Sequence, residues 1–271
     1  MSERSLAIVI VSYNVRDDVA RCLESLAGQV APDTITVVDN QSADGTLAWL
    51  ARQWPAVRAI DAGGNLGFSR ANNLGIRATT SDDVLLLNPD TVVPAGAVAA
   101  LHAALTADAD TAAVGPRLID ADGRVELSFG PMISPWGEFR QRRLMRAYEA
   151  GTPWAVAEVE RQTRTSGERD WVSGACLLAR RTELEAVGLL DERYFMYTED
   201  VDLCAAFRAR GRRVRFVPAV TVQHLRGRSS AGVPGPTAQR RRESHLAFYR
   251  KHHPAWAPLL AFWLRRRGFD V

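Results

Sequence analysis

The 271-residue chain has few cysteines and a single lysine. Cys22, Cys176 and Cys204 are odd in number and far apart, and none belongs to a CxxC or CxxH pair. This spacing excludes a disulfide framework and a zinc site of the usual kind, so we interpret the cysteines as small core residues in a reducing compartment. Because Lys251 is the only lysine, arginine carries nearly all the positive charge. Arginine favours bidentate contact with phosphates, although a GC-rich genome encodes the same bias.

Long hydrophobic runs and targeting signals are also missing. The longest apolar segment, residues 255–264, contains Pro258 and is much shorter than the roughly 20 residues needed to span a bilayer. The chain enters a strand-like segment at Leu6 without the basic region, apolar stretch and cleavage site of a signal peptide. We therefore predict a cytoplasmic protein that is not exported and does not cross a membrane.

Two common nucleotide-binding motifs and the usual nucleic-acid modules are absent. The glycine-rich segment 63–67 matches neither GxGxxG nor a P-loop, which excludes a Rossmann dehydrogenase and a P-loop NTPase. The arginines are dispersed along the chain and are not interleaved with stacking aromatic residues in a recognised module. We therefore predict no nucleic-acid partner.

The composition, 46% hydrophobic and 24% charged residues, is typical of a globular domain with a sizeable core. In the first half, short β-branched runs alternate with amphipathic helical stretches, which predicts an α/β fold with a mostly parallel sheet flanked by helices. The predicted strands are residues 6–12, 34–39, 57–62 and 83–87. The predicted helices are residues 16–26, 46–53 and 67–78.

The second half of the chain changes character. Residues 118–128 predict a hairpin, whereas residues 129–165 contain prolines and arginines and do not indicate whether the segment is ordered, which is compatible with a mobile lid. Further predicted strands are residues 171–179, 214–216 and 220–224, and further predicted helices are residues 199–210 and 239–251. We predict one extended domain over residues 1–235, with a nucleotide-binding half at about 1–116 and an acceptor and catalytic half at about 117–235. A basic, aromatic helical tail follows at residues 236–271.

Polar side chains follow the predicted parallel strands at their carboxyl ends, where ligands bind in sheets of this kind. This polar rim consists of Ser12, Tyr13, Asn14, Asp39, Asn40, Gln41, Ser42, Asn65, Asn88 and Asp90. Asp39 ends a buried strand, and its carboxylate can accept a hydrogen bond from the imide of a nucleotide base. Helix capping is the better explanation for the nearby Ser42 and Asp44. Asp90 fits a ligand of a hard divalent cation and a turn nucleated by Asn-Pro-Asp equally well.

Segment 194–203 places three acids directly after an aromatic run. An N-cap at Thr198 and the helix macrodipole account for acids in a first helical turn. The aromatic run favours, in addition, a partly desolvated pocket, which raises the pKa of a carboxylate and makes it a usable base. Downstream, His224 ends a strand and precedes Arg226 and Arg228. A lone histidine is usually structural, but beside two arginines it suits a metal ligand next to a diphosphate.

Seven motifs follow one another along the chain: residues 9–14, 37–45, 65–72, 86–90, 173–175 and 190–203, and His224. In this order they resemble the family 2 glycosyltransferases of the GT-A fold, and within that family the rhamnosyltransferase-like branch. The resemblance extends from about residue 5 to about residue 230. It implies an enzyme that transfers a sugar from a nucleotide-sugar donor.

The resemblance also implies roles for individual residues. The residues that would line the nucleotide pocket are Ser12, Tyr13, Asn14, Asp39, Asn65 and Asn72. Asp39 would contact the pyrimidine base. Asp90 would be the remaining acid of the DxD metal motif, whose first position is Asn88 here. Asp90 and His224 would then bind Mg²⁺ or Mn²⁺.

The same resemblance implies how the reaction proceeds. Asp200 would be the general base and Glu199 would position the acceptor. Gly174 and Ala175 would let the sugar approach the backbone closely, and Arg226 and Arg228 would contact the diphosphate. A hydroxyl acceptor would attack opposite the leaving diphosphate, so that the transfer inverts the anomeric centre.

The implied reaction is rhamnosyl transfer from dTDP-rhamnose to a glycan or lipid-linked acceptor during assembly of a cell-surface polysaccharide or glycolipid. Alternatives are a UDP-hexose donor and a non-catalytic nucleotide-sugar-binding protein, against which the combination of Asp90, Asp200 and His224 argues. In the tail, Trp256, Phe262 and Trp263 precede three arginines, a pattern that suits peripheral contact with the inner face of the cell membrane. A packed surface helix is the alternative for the tail.

Overall fold

The computed structural model of the protein describes residues 4–225 and 234–269. Its first half alternates strands and helices as predicted. The elements are β1 (Leu6–Ser12), α1 (Arg16–Leu26), β2 (Ile35–Asp39), α2 (Thr46–Gln53), β3 (Arg58–Asp61), α3 (Phe68–Arg77) and β4 (Asp83–Leu87). The four strands pair in parallel in the order β3, β2, β1, β4. The predicted bounds of α1, α2, β1 and β4 are confirmed, and those of the other three elements are right to within one residue at each end.

The second half extends this sheet with strands of mixed direction. It contains β5 (Thr91–Val92), α4 (Ala97–Thr106), β6 (Thr111–Ile119), β7 (Val125–Glu126), β8 (Phe129–Gly130), α5 (Pro135–Glu149), α6 (Pro153–Arg164), β9 (Gly167–Glu168), β10 (Trp171–Val172), β11 (Cys176–Arg180), α7 (Arg181–Ala186), α8 (Glu199–Ala209), β12 (Arg213–His224), α9 (Pro234–His252) and α10 (Ala257–Arg265). From β4 the sheet continues through β11, β6, β12 and β5. Because β11 is antiparallel to β4 and β12 is parallel to β6, the sheet is mixed overall.

The structure settles one open point in the second half and corrects two predictions. Residues 129–165 are ordered, because they contain β8, α5 and α6. The Oγ of Ser134 accepts a hydrogen bond from the backbone N–H of Gly137 at 3.1 Å, and Pro135 and Pro153 start the two helices, so the prolines initiate helices here. The strand predicted at residues 171–179 is interrupted between β10 and β11, and the two strands predicted at 214–216 and 220–224 are the single strand β12 with a register shift after Val217. The predicted hairpin at 118–128 is confirmed by the antiparallel pair β6 and β7.

Alternating side chains of the central strands build two apolar layers, one on each face of the sheet. Ile8 and Ile10 pack with Val19 and Leu23 of α1 on one face. Val9 packs on the other face, where a Cβ at Gly75 would overlap it, so α3 can lie directly against β1. The three cysteines are free and buried, which confirms their interpretation as core residues.

The C-terminal helices pack against the second half of the sheet domain. Leu246 and Phe248 of α9 and Leu264 of α10 form an apolar cluster with Tyr194 and Val201, the latter in α8. Within the described part of the chain, no helix is both long enough and apolar enough to span a membrane. The predicted division at residue 235 stays a prediction.

Candidate active site

The carboxyl ends of β1 and β2 bring Ser12 and Asp39 side by side, because the two residues are register partners in the parallel pair. Asp39 is 1% exposed, and its Oδ2 accepts a hydrogen bond from the backbone N–H of Ser42 at 3.0 Å. Its Oδ1 and the Oγ of Ser12 are buried and have no hydrogen-bond partner among the described residues. Buried polar atoms are rarely left in this state, so both atoms are candidates for contact with a ligand.

Side-chain amides join the loops that follow these two strand ends. Asn14 accepts a hydrogen bond from the backbone N–H of Ala43 at 2.6 Å, and its own backbone N–H donates to the Oγ of Ser42 at 2.9 Å. Asn40 donates to the Oδ1 of Asn65 at 2.9 Å and accepts from the backbone of Leu66 at 2.8 Å. The Asn40 and Asn65 pair therefore fixes the loop before α3 against the end of β2. Tyr13 lies beside these loops and is 38% exposed.

The two asparagines of α3 bond to protein groups. Asn72 is 1% exposed and donates to the backbone oxygen of Phe68 in the same helix at 2.9 Å. Asn73 exchanges hydrogen bonds with the backbone of Leu190 at 2.8 and 3.0 Å. Asn73 thus connects α3 to the segment that leads to α8, a role that the sequence did not indicate.

A second group of polar residues surrounds His224 at the end of β12. Its Nε2 lies 3.3 Å from Asp90 Oδ1 and 3.3 Å from Asn88 Nδ2, and its Nδ1 lies 3.2 Å from Glu126 Oε2. Strand pairing places His224 opposite Thr91. The backbone N–H of Leu225 also donates a hydrogen bond to the backbone oxygen of Asp90 at 2.8 Å, which holds these residues together. Burial lowers the pKa of His224, but the hydrogen bonds with Asp90 and Glu126 outweigh burial and raise it to about 9.

This group suits a divalent cation that shares its shell with a substrate. The described residues contain no cluster of three His, Cys, Asp or Glu side chains arranged around a metal position. Mg²⁺ and Mn²⁺ need no such cluster in phosphate-transfer sites, because one or two protein ligands and the substrate phosphates fill the shell. Glu126 can accept the Nδ1 proton of His224, and a bound cation would displace the second proton from Nε2, the nitrogen on the Asp90 side. The donor set of Asp90 and His224 therefore fits the predicted metal.

Asp200, in the first turn of α8, contacts the turn between β10 and β11, which leads to this group. Its Oδ2 accepts a hydrogen bond from the backbone N–H of Gly174 at 2.9 Å. A Cβ at Gly174 would lie 3.3 Å from the Cβ of Asp200, so the glycine allows this close approach. The next residue, Ala175, accepts a hydrogen bond from the backbone N–H of Asn88 at 2.9 Å. Two consecutive residues thus connect Asp200 on one side with Asn88 of the His224 group on the other.

The neighbouring acid, Glu199, has a different environment. It is 6% exposed, and its Oε2 has no hydrogen-bond partner among the described residues. Burial, and next the negative charge of Asp200, raise the pKa of Glu199 well above its usual value. Burial also raises the pKa of Asp200, but backbone N–H groups of Gly174 and Val201 oppose that shift by stabilising its charged form. Asp200 is therefore the carboxyl of the pair that ionises more easily.

Comparison with known proteins identifies the family. The family model described as glycosyltransferase-like family 2 matches residues 3–257. The chain belongs to glycosyltransferase family 2. A relative from Mycobacterium tuberculosis, named N-acetylglucosaminyl-diphospho-decaprenol L-rhamnosyltransferase, is 32% identical over 94% of this chain and 87% of its own length. Rhamnosyltransferase WbbL of Escherichia coli is 26% identical over 80% of this chain and 82% of its own length.

Solved structures support the predicted GT-A fold of this glycosyltransferase. The mannosyltransferase PcManGT from Pyrobaculum calidifontis, solved with GDP-Man and Mn²⁺, superposes with a TM-score of 0.64 at 18% identity and covers 96% of this chain and 69% of its own. GalNAc-T7, solved with UDP, GalNAc and Mn²⁺, gives a TM-score of 0.62 at 17% identity and covers 90% of this chain and 48% of its own. The predicted fold class and the glycosyltransferase class are confirmed, whereas metal dependence, inversion and the roles of individual residues stay predictions.

The structure of the glycosyltransferase also adds two residues to the predicted site. Arg226 and Arg228, the predicted diphosphate contacts, lie outside the described residues. Glu126 and Asn40 contact predicted site residues, although Glu126 was not selected from the sequence and Asn40 was placed in the polar rim without a site role. The one available signal for Glu126 was an acid between Val125 and Leu127 in an apolar run. Asn40 stood within the strand-end motif but had no pattern that distinguished it from a turn residue.

Proposed function

We propose that this glycosyltransferase is metal-dependent and inverting, and that it transfers a rhamnosyl group from dTDP-rhamnose to a hydroxyl of a lipid-linked or glycan acceptor. The names of the relatives from M. tuberculosis and E. coli support the sugar, and the former name also supports a lipid diphosphate acceptor. The observation that carries the catalytic part is the contact of Gly174 with Asp200 and of Ala175 with Asn88. It implies that the base and the diphosphate end of the donor lie on opposite sides of a two-residue backbone segment.

Donor binding depends, in this proposal, on the pocket at the ends of β1 and β2. Asp39 Oδ1 and Ser12 Oγ, which lack protein partners in the described part of the chain, bind the polar edge of the pyrimidine base. Asn65, held by Asn40, forms the wall beside the nucleoside. Asp90 and His224 would hold Mg²⁺ or Mn²⁺. When bound, this cation neutralises negative charge on the leaving nucleoside diphosphate.

Asp200 acts as the general base in the transfer step. Its carboxylate removes the proton of the acceptor hydroxyl while that oxygen forms a bond to the anomeric carbon. The bond between the anomeric carbon and the phosphate oxygen breaks at the same time, and its electron pair leaves with the diphosphate. Because attack and departure occur on opposite faces, one displacement inverts the anomeric centre. Glu199, protonated beside Asp200, donates a hydrogen bond that orients the acceptor.

A thermal-shift panel tests the donor and the metal. We expect dTDP with Mn²⁺ to raise the melting temperature most, and chelator to remove most of that increase, because a ligand that binds only the folded state stabilises it. Asp90→Ala should abolish the metal-dependent part of the increase, whereas the control Asp33→Ala, an exposed acid before β2, should keep it. A larger shift with UDP would indicate a UDP-hexose donor instead.

A transfer assay then tests the reaction itself. The enzyme is incubated with dTDP-rhamnose and a short-chain lipid diphosphate acceptor, and the anomeric configuration of the product is read by NMR. A product of opposite configuration to the donor supports the single displacement. A retained configuration would contradict the mechanism. In the thermal-shift panel, a melting temperature that no nucleotide changes would contradict the donor site.

A further inference from the structure

The helices α5 and α10 each expose an aromatic stripe that the proposed reaction does not use. On α5, Trp136 is 77% and Phe139 is 62% exposed, and Arg140 and Arg143 follow at the helical spacing that puts them on the same face. These residues occupy positions i, i+3, i+4 and i+7, so they form one continuous strip along the helix. The two aromatic side chains of this strip face solvent instead of packing in the core.

The stripe on α10 repeats the same spacing. Leu259 is 60%, Phe262 is 59% and Trp263 is 36% exposed, and Arg266 completes the i, i+3, i+4, i+7 pattern. The guanidinium of Arg266 lies 5.1 Å from the ring centre of Phe262. The opposite side of α10, with Ala257, Ala261 and Leu264, is buried in the apolar cluster on α9. The helix therefore has one face for the protein and one face that its own fold leaves uncovered.

Contacts made by α9 and by the residue that follows it hold the two stripes on the same part of the molecule. His253, four residues before α10, contacts the backbone oxygen of Ile133 at 2.7 Å, two residues before α5 begins. Tyr249 donates a hydrogen bond to Glu138 of α5 at 2.6 Å. Ile133 also packs against the cluster that contains Leu264. The N-terminal ends of α5 and α10 therefore lie close together.

The charge of both helices favours an anionic occupant. Residues 135–149 contain four arginines and two glutamates, and one of these, Glu138, is already bound by Tyr249. Residues 257–269 contain three arginines and no acid. Aromatic rings beside arginines suit the headgroup level of a bilayer, where rings enter the interface and guanidinium groups meet lipid phosphates.

We propose that these two stripes form one membrane-binding surface, the α5–α10 surface, whose partner is a bilayer containing anionic lipid. Its apolar contacts are Trp136, Phe139, Leu259, Phe262 and Trp263. The cluster beneath it includes Val201, the residue that follows Asp200 in α8. If the proposed function is right, binding through this surface holds the enzyme at the bilayer that carries its lipid-linked acceptor.

Vesicle co-sedimentation of the full chain, without nucleotide or acceptor, tests the surface. We expect binding to vesicles of phosphatidylcholine mixed with phosphatidylglycerol, weaker binding to phosphatidylcholine alone, and loss of binding as salt increases. The double variants Trp136→Ser with Phe139→Ser, and Phe262→Ser with Trp263→Ser, should each lower the partition coefficient at least about tenfold. Arg140→Gln with Arg143→Gln should remove the preference for anionic vesicles.

Trp154→Ser provides the matched control. Trp154 is 52% exposed but lies in the first turn of α6, about 20 Å along α5 from Trp136 at 1.5 Å per residue, and its loss should leave vesicle binding unchanged. Wild-type binding to neither vesicle, or double variants that bind like the wild type, would overturn the proposal. A dimer that the same substitutions dissociate would also overturn it, since a second copy would then cover the stripes. Nucleotide thermal shifts of the same variants test the donor site separately, so failure of one proposal leaves the other measurable.

Discussion

Asp200 and Glu199 are adjacent in sequence, yet their carboxyl groups lie in different surroundings. Asp200 accepts a backbone hydrogen bond from Gly174, whereas Glu199 Oε2 has no partner among the described residues. Two neighbouring carboxyl groups in a buried position do not ionise together easily, so the proton of the pair resides on the group with less support for its charge. In the proposed mechanism, this difference favours Asp200 as the base and Glu199 as a hydrogen-bond donor.

Replacing each acid by its amide should separate these roles. Asp200→Asn should lower kcat by about 10²–10⁴-fold because the base is lost, with nucleotide binding unchanged. Glu199→Gln should cost far less, because an amide N–H can replace the donor of a protonated carboxyl group. Initial rates at saturating donor, with thermal shifts for nucleotide binding, measure both effects. An Asp200→Asn enzyme with wild-type kcat would refute the assignment. A larger loss of kcat in Glu199→Gln than in Asp200→Asn would reverse it.

At the scale of elements, α9 holds the turn that precedes α8, the helix that carries Asp200. Tyr197 and Thr198 both have positive φ, 71° and 75°, a conformation that side chains other than glycine adopt at a cost. Ser244 of α9 donates to the backbone oxygen of Met196 at 2.8 Å. Asp202 of α8 accepts from Lys251, the only lysine of the chain, at 2.7 Å. The helix that the sequence presented as part of a tail therefore supports the start of α8.

Ser244→Ala tests this support. Loss of the hydrogen bond should lower the free energy of unfolding by about 1 kcal/mol and should also lower kcat, because the strained turn at 197–198 loses a constraint. Ser134→Ala, which removes the side-chain cap of α5, should cost a similar free energy and leave kcat in a transfer assay with a water-soluble acceptor unchanged. Denaturant unfolding and steady-state kinetics distinguish the two variants. Equal kcat in both would mean that Ser244 contributes to stability alone.

At the scale of the whole molecule, Glu138 connects α5 to the C-terminal helix α9. Its Oε1 lies 2.8 Å from His245 Nε2, and its Oε2 accepts from Tyr249. Burial raises the pKa of Glu138, but the contact with His245 and the hydrogen bond from Tyr249 outweigh burial and hold the pKa below its usual value. An ionised Glu138 therefore stabilises the folded state above the usual carboxyl pKa, and this contribution disappears as pH falls through the lowered pKa.

Glu138→Gln should reveal this contribution as a pH-dependent change in stability. We expect the variant to melt at a lower temperature than the wild type at neutral pH, and the difference to shrink as pH falls below about 4, the usual range of glutamate. Glu149→Gln, an exposed change at the other end of α5, provides the control and should leave the melting temperature nearly unchanged. A difference independent of pH would show that the charge of Glu138 contributes nothing.

The sequence by itself determined the parallel strands of the first half and the candidate residues at their ends. Alternating apolar residues in β1 and the helical spacing of α1 are local patterns, and strand direction alone then places Ser12 beside Asp39. The resemblance of the motifs also identified the family. The helices α5 and α6 were missed because their starting prolines and many arginines conceal the apolar spacing.

Only the tertiary structure decided the contacts between distant segments. Glu126 meets His224 across 98 residues, Asn73 meets Leu190 across 117, and Ser244 reaches Met196 across 48. Such pairs depend on how β7, β12, α3 and α9 pack together, which no local periodicity encodes. The same packing leaves the aromatic stripes of α5 and α10 exposed. Sequence spacing indicates which residues share a helix face, but whether that face is buried depends on the neighbouring elements.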